Sequence, residues 1–268
     1  MVMPAKYYQA MKMALPEAES TDCTDLLAEF IAHKSAYDVK MIESTAKIAD
    51  TAMIAAMNAC KEGATEIDAG FAAQRVKFEM GAEEGSGTRV RTHIYVVSAG
   101  TVLSNVRPYF FTRKKFRKGE VFFIDLSVCY NGYYTDFCRS VSIGRPNKKQ
   151  EEIFDVTMET HKKLFSALRP GITGEELYKI GLKVGQEAGY KDKINFVWLG
   201  HGSGLIISEP PFFAMGEKRK ILPNTFNNIE PGVFVPGTAP TSIKDEIFVP
   251  SSGTPRFVTN CPRELHIG

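Results

Sequence analysis

Two aspartates in an apolar segment of the chain could hold a cation. The stretch GEVFFIDLSVCYNGYYTDFCR, residues 119–139, places Asp125 at the end of an apolar run and Asp136 eleven positions later. A carboxylate inside an apolar strand is costly to bury unless a cation or hydrogen bonds compensate its charge. Two carboxylates that converge from paired strands therefore indicate a site for a metal or another cation. The alternative is a pair of solvent-exposed aspartates beside a turn.

The second half of the chain supplies a histidine and another acid. His201 lies between two glycines after an apolar stretch, where the backbone can turn tightly. Glu230 precedes Pro231 and Gly232, so an acid again closes a predicted strand before a turn. Carboxylates and imidazole are ligands that suit Mn, Fe, Co or Zn. No single pair is diagnostic, whereas Asp, Asp, His and Glu at four predicted strand ends are a more specific signal for a metal centre.

A strand, a tight turn and a second strand must position the aspartates. Residues 121–124 are β-branched and aromatic, and Asn131-Gly132 is typical of a hairpin turn. Alternation predicts an earlier strand at 89–98, with His93 and Tyr95 on one face. Further strands are predicted at 196–199 and at about 242–249.

Helices precede the strands in both halves of the chain. A long amphipathic helix begins at Ser35 and ends before Gly63, and Thr65 caps a second helix that runs to about Met80. Two more are predicted at about 148–168 and, capped by Thr173, to about 188. The order of helices and then strands occurs twice, at roughly 35–142 and 148–249. This order favours a duplicated α+β architecture.

Composition excludes several classes of protein. The formal net charge of +2 over 268 residues gives no reason to expect a nucleic-acid partner. The five cysteines are scattered and odd in number, without a C-x-x-C pair, which fits reduced thiols in a cytoplasmic protein. Apolar runs are too short for a membrane span. We therefore expect a soluble cytoplasmic protein with neither a nucleic-acid nor a membrane partner.

Several segments resemble a known family of hydrolases. The matching pieces are IDLSVCYNGYYTDFCR, GHGSGL followed by SEPP, NNIEPGVFVPG and the ending PREL. They are similar to motifs of the prolidase, aminopeptidase P, methionine aminopeptidase and creatinase family, and HKSAYDVKMIESTAKIAD resembles the start of its catalytic domain. The resemblance covers roughly residues 30–265. It implies an α+β pita-bread fold, with two pseudo-symmetric helix-strand halves around a curved antiparallel sheet, and a homodimer.

The resemblance also implies a division of the chain into domains. Residues 1–34 resemble the last helices of the family's N-terminal creatinase-type domain, and we expect a remnant of that domain or a linker there. Residues 35–268 then form the pita-bread catalytic-type domain. Two further side chains are expected to be structural: His161 in the core, and Arg139 paired with a strand acid.

The resemblance carries metal-binding roles onto individual positions. It makes four residues of this chain members of the family's set of five metal ligands: Asp125, Asp136, His201 and Glu230. The fifth ligand should be a glutamate fourteen residues after Glu230, where this sequence has Lys244. Glu246 lies two residues further on and, by strand parity, faces the same side. It could serve as the fifth ligand if the strand is shifted or bulged.

Lys244 leaves two possibilities for the metal. Its ammonium could stand in place of the second cation, paired with Asp125, while Asp136, His201 and Glu230 hold one divalent metal, Mn, Fe, Co or Zn. Alternatively, Lys244 neutralises the acids and no metal binds. A full two-metal site is not expected in either case.

Two histidines that position the scissile amide in family peptidases are absent here. The equivalent positions are Pro108 and Ser208. His93 is a candidate substitute as an acid, a base or a substrate contact, or else part of a solvated strand face. Lys244 or His93 would assist with proton transfer, and Glu246 is a third candidate catalytic residue.

Two functions follow from this pattern. The first is a hydrolase that resembles Xaa-Pro peptidases and creatinase and acts on a small C–N or short-peptide substrate, with a one-metal or metal-free site. The missing histidines and Lys244 argue against ordinary prolidase activity. The alternative is a non-catalytic pita-bread module that uses the cleft to bind a peptide or protein.

Overall fold

A computed structural model describes residues 3–82, 94–98, 111–194 and 197–268. The helices are α1 Ala5–Ala14, α2 Thr24–Ala32, α3 Ala36–Ala59, α4 Glu66–Glu79, α5 Lys148–Ala167 and α6 Gly174–Glu187. The strands are β1 Ile94–Ser98, β2 Val121–Tyr130, β3 Tyr133–Ser142, β4 Gly200–Ser203, β5 Glu209–Phe212, β6 Thr225–Ile229, β7 Gly232–Val235, β8 Ala239–Ser242, β9 Asp245–Val249, β10 Arg256–Phe257 and β11 His266–Ile267.

Reciprocal caps fix where the four long helices begin. Ser35, Thr65, Asn147 and Thr173 each accept a hydrogen bond from the backbone three residues on, and the side chain at that position bonds back to the cap. These capping boxes satisfy N–H groups that the first turn of a helix leaves unpaired. The helices predicted from the sequence are confirmed to within a residue or two.

The helices and strands enclose two separate apolar cores. In the first half, α3 packs against β2 and β3 around Met53 and Phe122, and α4 packs against α3 and β1. In the second half, α5 and α6 pack around Leu177, Ile229 and Ile247. Each helix pair buries one face against strands, as burial of apolar area requires. The predicted duplicated α+β fold is confirmed.

The hairpin of β2 and β3 is built as predicted. Asn131 and Gly132 take φ of 50° and 79°, which the tight turn requires. Asp125 lies opposite Cys138, and Asp136 lies opposite Ser127. The two aspartates are therefore diagonal neighbours on one face of the hairpin.

The sheet differs from the expected single antiparallel sheet. Three groups of strands are present, in the orders β1-β2-β3-β11, β10-β9-β6-β4-β5 and β7-β8, and β11 runs parallel to β3. The strand predicted at about 242–249 is confirmed over Asp245–Val249 but begins later than expected, because the chain leaves β8 at Ser242 and re-enters a ladder only at Asp245. Lys244 lies in this break and bridges to Cys138 of β3. The break thus joins the first group of strands to the second.

The position of His201 also differs from the prediction. Residues 197–199 form no strand, and residues 195–196 lie outside the described ranges. His201 is the second residue of β4, paired with Asn228 of β6. Asp125 and Asp136 are likewise inside their strands, so only Glu230 stands at a strand end. The expectation of four strand ends was wrong, because neighbouring strands rather than turns bring these side chains together.

Only the later part of the segment before α3, from α2 to Lys34, buries residues against the rest of the described chain. Helix α1 buries no residue, whereas α2 buries Ala28 and Ala32. Lys34 is buried, and its Nζ lies 2.6 Å from Glu209 Oε2. The expected boundary at residue 34 therefore coincides with an ion pair to β5. In the ranges that the structure describes, no helix combines the length and apolarity needed to traverse a bilayer.

Candidate active site

A lysine ammonium lies at the centre of three carboxylates. Lys244 Nζ is 2.8 Å from Asp136 Oδ2, 2.9 Å from Glu230 Oε2 and 3.3 Å from Asp125 Oδ1. Lys244 is 4% exposed and Asp136 3%. We call Lys244 and its three carboxylates the acid cluster. Of the two arrangements expected from the sequence, this one matches an ammonium that pairs with all the acids rather than with Asp125 alone.

Backbone contacts place the lysine between the two halves. The Lys244 N–H donates to the Cys138 carbonyl at 3.2 Å, and the Cys138 N–H donates to the Lys244 carbonyl at 3.4 Å. The Glu230 N–H donates to the Leu199 carbonyl at 2.9 Å. The acid cluster is therefore held by main chain from both halves, and its geometry does not depend on a loop tip.

The carboxylates keep the lysine charged. Burial by itself would lower the pKa of Lys244, but the negative charges of Asp125, Asp136 and Glu230 outweigh it and raise that pKa well above its usual value. An ammonium has three N–H donors and no lone pair. With three carboxylates around it, the Lys244 ammonium is held in place as a cation, and its predicted role in proton transfer stays a prediction.

His201 faces the acid cluster with one ring nitrogen. Its Nδ1 is 2.8 Å from the Gly202 carbonyl oxygen, which can only accept, so Nδ1 carries a proton. Its Nε2 points towards the cluster, 3.6 Å from Glu230 Oε1 and 3.9 Å from Asp136 Oδ2. Glu230 Oε1 accepts no hydrogen bond from the described part of the chain. A small polar group between His201 and Glu230 would contact both.

Glu246 is buried beside the acid cluster. Its Oε1 accepts a hydrogen bond from Ser203 Oγ of β4. Burial, together with the nearby charge of Asp136, raises the pKa of Glu246 to about 8, so it is protonated at neutral pH. Its predicted role in catalysis or as a replacement ligand stays a prediction.

The structure describes only some of the other residues that could contact a substrate. His93 and Pro108 lie outside the described residues. Ser208 is near His201, with its Oγ 3.5 Å from His201 Nε2. The Trp198 ring meets the His201 ring edge-on, at 6.4 Å between centroids. Trp198 is therefore a neighbour of the candidate site.

A second buried network supports the acid cluster from behind. Arg139 is 1% exposed and donates to the Lys244 carbonyl and to Asp245 Oδ1, at 2.8 and 2.7 Å. Asp245 Oδ2 lies 3.0 Å from His161 Nε2 and 2.8 Å from Arg263 Nε. The structural roles predicted for Arg139 and His161 are confirmed. Sequence reasoning missed Asp245, although its place beside Lys244 was a possible signal.

Two divalent metals do not fit this arrangement. A protonated lysine stands among the carboxylates that would bind them, offers no lone pair and would repel a second cation. Across residues 3–82, 94–98, 111–194 and 197–268, no set of three or more His, Cys, Asp or Glu side chains is arranged to hold a metal ion. The assignment of Asp125, Asp136, His201 and Glu230 as metal ligands stays a prediction.

Gly200 allows the close approach of strands that positions His201. A Cβ at Gly200 would lie 2.2 Å from the Asn228 carbonyl oxygen, which is a backbone atom and cannot rotate away. We expect Gly200→Ala to reduce the free energy of unfolding by about 1–3 kcal/mol and to displace His201. Urea unfolding checks this result.

A matched glycine separates a clash with the backbone from a clash with a side chain. In Gly185→Ala on α6, the new Cβ would lie 2.4 Å from Ile194 Cδ1 and 2.6 Å from its Cγ1, which are side-chain atoms and can shift. Alanine also gains about 1 kcal/mol of helix propensity over glycine. We expect Gly185→Ala to cost less than Gly200→Ala, and equal losses would contradict the role given to the β4–β6 contact.

Comparison with known proteins identifies relatives. Residues 40–251 match the model of metallopeptidase family M24. An Xaa-Pro dipeptidase from Pyrococcus horikoshii is 28% identical over 263 residues, which cover 98% of this chain and 72% of the relative.

Solved structures agree with the sequence comparison. The prolidase from P. horikoshii superposes with a TM-score of 0.89 at 28% identity, over 98% of this chain and 73% of that one. An Escherichia coli aminopeptidase P gives a TM-score of 0.75 at 18% identity, over 91% of this chain and 60% of that one, and this likeness concerns the fold alone. The predicted family and the pita-bread fold are confirmed.

Proposed function

The chain belongs to metallopeptidase family M24, and from that premise we propose that it hydrolyses an amide or related C–N bond in a small molecule or short peptide. Its similarity to Xaa-Pro dipeptidases supports a peptidase-like hydrolase. The observation that carries the finer proposal is the position of Lys244 Nζ, 2.8–3.3 Å from three carboxylates. In this proposal the ammonium replaces a metal cation as the charge that holds the acids together.

The charge of the acid cluster favours a cationic substrate. Three carboxylates and one ammonium leave a formal charge of −2. A buried excess of negative charge is costly unless a further cation approaches. A substrate with an ammonium or amidinium group beside the scissile bond would supply that cation. The free amino end of a short peptide has this property.

Glu230 is the group best placed to activate water. Its Oε1 and His201 Nε2, 3.6 Å apart, can both accept hydrogen bonds from one water molecule. Glu230 takes one proton from this water while the water oxygen bonds to the substrate carbonyl carbon. The same proton then passes to the leaving nitrogen as the C–N bond breaks. The products are a carboxylic acid and an amine.

Turnover in the presence of a chelator tests the proposal. Purified protein is offered a panel of dipeptides, including Xaa-Pro dipeptides, and of guanidino acids, and release of amine is measured with and without EDTA. We expect EDTA to leave the turnover unchanged. Glu230→Gln should lower kcat by at least about a hundredfold, because it removes the general base, whereas Glu19→Gln in the exposed segment should not.

Two other results would overturn the proposal in different ways. Turnover that EDTA abolishes and that Mn, Co or Zn restores would assign the chemistry to a bound metal. Saturable binding of peptides without any turnover would favour the binding module. Homodimer formation and a cytoplasmic location stay predictions, which light scattering and cell fractionation can test.

A further inference from the structure

A second cavity lies apart from the acid cluster, between α2 and the edge of the second sheet. Its volume is about 410 Å³, within the ~300–1,000 Å³ typical of small-molecule sites. Ala28 and Ala32 of α2 form one wall, and Pro211, Leu222 and Phe226 contribute further apolar surface. The cavity is therefore large enough for a small organic molecule and mostly apolar along its sides.

A buried amide lines this cavity with an unused acceptor. Asn227 is 1% exposed, and its Nδ2 donates to Thr225 Oγ1 at 2.9 Å. Its Oδ1 has no hydrogen-bond partner in the described part of the chain. A buried acceptor without a donor costs about 1–3 kcal/mol, so native proteins rarely leave one unpaired. The position calls for a ligand or solvent molecule with an N–H or O–H group.

Charged side chains of both signs also line the cavity. Arg219 pairs with Asp25, Lys218 pairs with Glu175 and Glu209 pairs with Lys34, so these side chains already have partners. Lys220 and Glu29 are exposed lining residues for which the described part of the chain provides no ion pair. An occupant that carries both a carboxylate and an ammonium would match both.

We propose that this cavity binds a free α-amino acid with an apolar side chain. The carboxylate would pair with Lys220, the ammonium would pair with Glu29 or donate to Asn227 Oδ1, and the side chain would lie against Ala28 and Phe226. Each part of the ligand corresponds to a group that lines the cavity. This inference does not depend on the proposed hydrolase activity.

The cavity is connected to the candidate active site through one strand pair. Asn227 of β6 lies opposite Gly202 of β4, which also lines the cavity. His201 precedes Gly202 in β4, and Asn228 follows Asn227 in β6. Because side chains alternate along a strand, His201 and Asn228 point to the other face of the sheet. An occupant would therefore contact the back of the strand that carries His201. Occupancy is expected to change the affinity of the acid cluster for its substrate.

Titration with L-leucine tests the site. Binding to the full chain is followed by NMR, with isoamylamine and 4-methylvalerate as analogues that lack the carboxylate or the ammonium. We expect one site for leucine and about two- to fivefold weaker binding of either analogue, as loss of an exposed ion pair predicts. Equal binding of all three would show that the cavity recognises only the apolar group and would overturn the proposal.

Variants locate the site without disturbing the acid cluster. Lys220→Ala should weaken leucine binding about two- to fivefold, and Ala28→Trp, which fills the cavity from α2, should abolish it. Lys162→Ala on α5 is the matched surface control and should change nothing. Loss of binding in Asp125→Asn but not in Lys220→Ala would place leucine at the acid cluster and refute the inference. Absence of binding to the parent chain would assign Asn227 Oδ1 to solvent.

Discussion

Replacing Lys244 by glutamate is expected to convert the acid cluster into a metal site. Lys244→Glu removes the ammonium and adds a fourth carboxylate beside Asp125, Asp136 and Glu230. Four carboxylates without a cation repel one another and strongly favour a bound divalent ion. We expect the variant to bind at least about one more Mn, Co or Zn ion per chain than the parent. Elemental analysis after metal loading and gel filtration measures this difference.

A neutral variant separates charge removal from ligand addition. Lys244→Met leaves the three carboxylates without their cation and adds no ligand. We expect it to lose about 3–5 kcal/mol of unfolding free energy, as for a buried ion pair with one partner removed. Added metal should raise the unfolding free energy of Lys244→Met, should raise that of Lys244→Glu by more, and should leave that of the parent unchanged.

Two outcomes would contradict this account of Lys244. A parent chain that already binds two metal ions would show that the ammonium does not take the place of one. A Lys244→Glu variant that folds but binds no more metal than the parent would show that the carboxylates cannot rearrange around a cation. Lys162→Glu, on the exposed face of α5, controls for nonspecific binding caused by an added acid.

The second large effect concerns Arg139, whose guanidinium donates a hydrogen bond to the Lys244 carbonyl. Its guanidinium donates to Asp245 and to three backbone carbonyls besides that of Lys244, all at 2.7–2.8 Å. Arg139→Met leaves a fully buried carboxylate and four carbonyls without these donors. We expect a loss of about 3–5 kcal/mol in the free energy of unfolding, measured by urea denaturation.

Arg263 is a matched control because it pairs with the same carboxylate. Its Nε lies 2.8 Å from Asp245 Oδ2, but its side chain is 27% exposed. A partly exposed ion pair contributes about 0–1 kcal/mol. We expect Arg263→Met to cost much less than Arg139→Met, and equal losses would show that burial does not determine the effect.

The Arg139 variant should also change how stability depends on pH. Burial by itself would raise the pKa of Asp245, but the charges of Arg139, His161 and Arg263 outweigh it and hold that pKa well below its usual value. A carboxyl with a lowered folded-state pKa stabilises the fold above its unfolded pKa of about 3.9, and this stability is lost as the pH falls through the folded value. In Arg139→Met the folded pKa rises. Acid unfolding of the variant should therefore begin at a higher pH than in the parent.

Local sequence patterns were enough to predict the long helices, the β2–β3 hairpin and the family. Ser35, Thr65 and Thr173 are each followed, three residues later, by the Asp or Glu that completes a capping box. The starts of these helices are therefore local properties of the sequence. Asn131-Gly132 likewise fixes the hairpin turn, because few residue pairs accept positive φ at both positions. Spacing along the chain was also enough to identify Lys244 where the family has an acid.

What surrounds Lys244 depends on the tertiary structure. Asp125 and Asp136 lie 119 and 108 residues before Lys244 in the chain, and Glu230 lies 14 residues before it. The break between β8 and β9 places Lys244 among these three carboxylates. The partner of a buried charge depends on which strands become neighbours, and no local pattern encodes that choice. The Arg139–Asp245 network and the cavity at Asn227 arise in the same way. They exist because packing brings distant segments together and removes water from their polar groups.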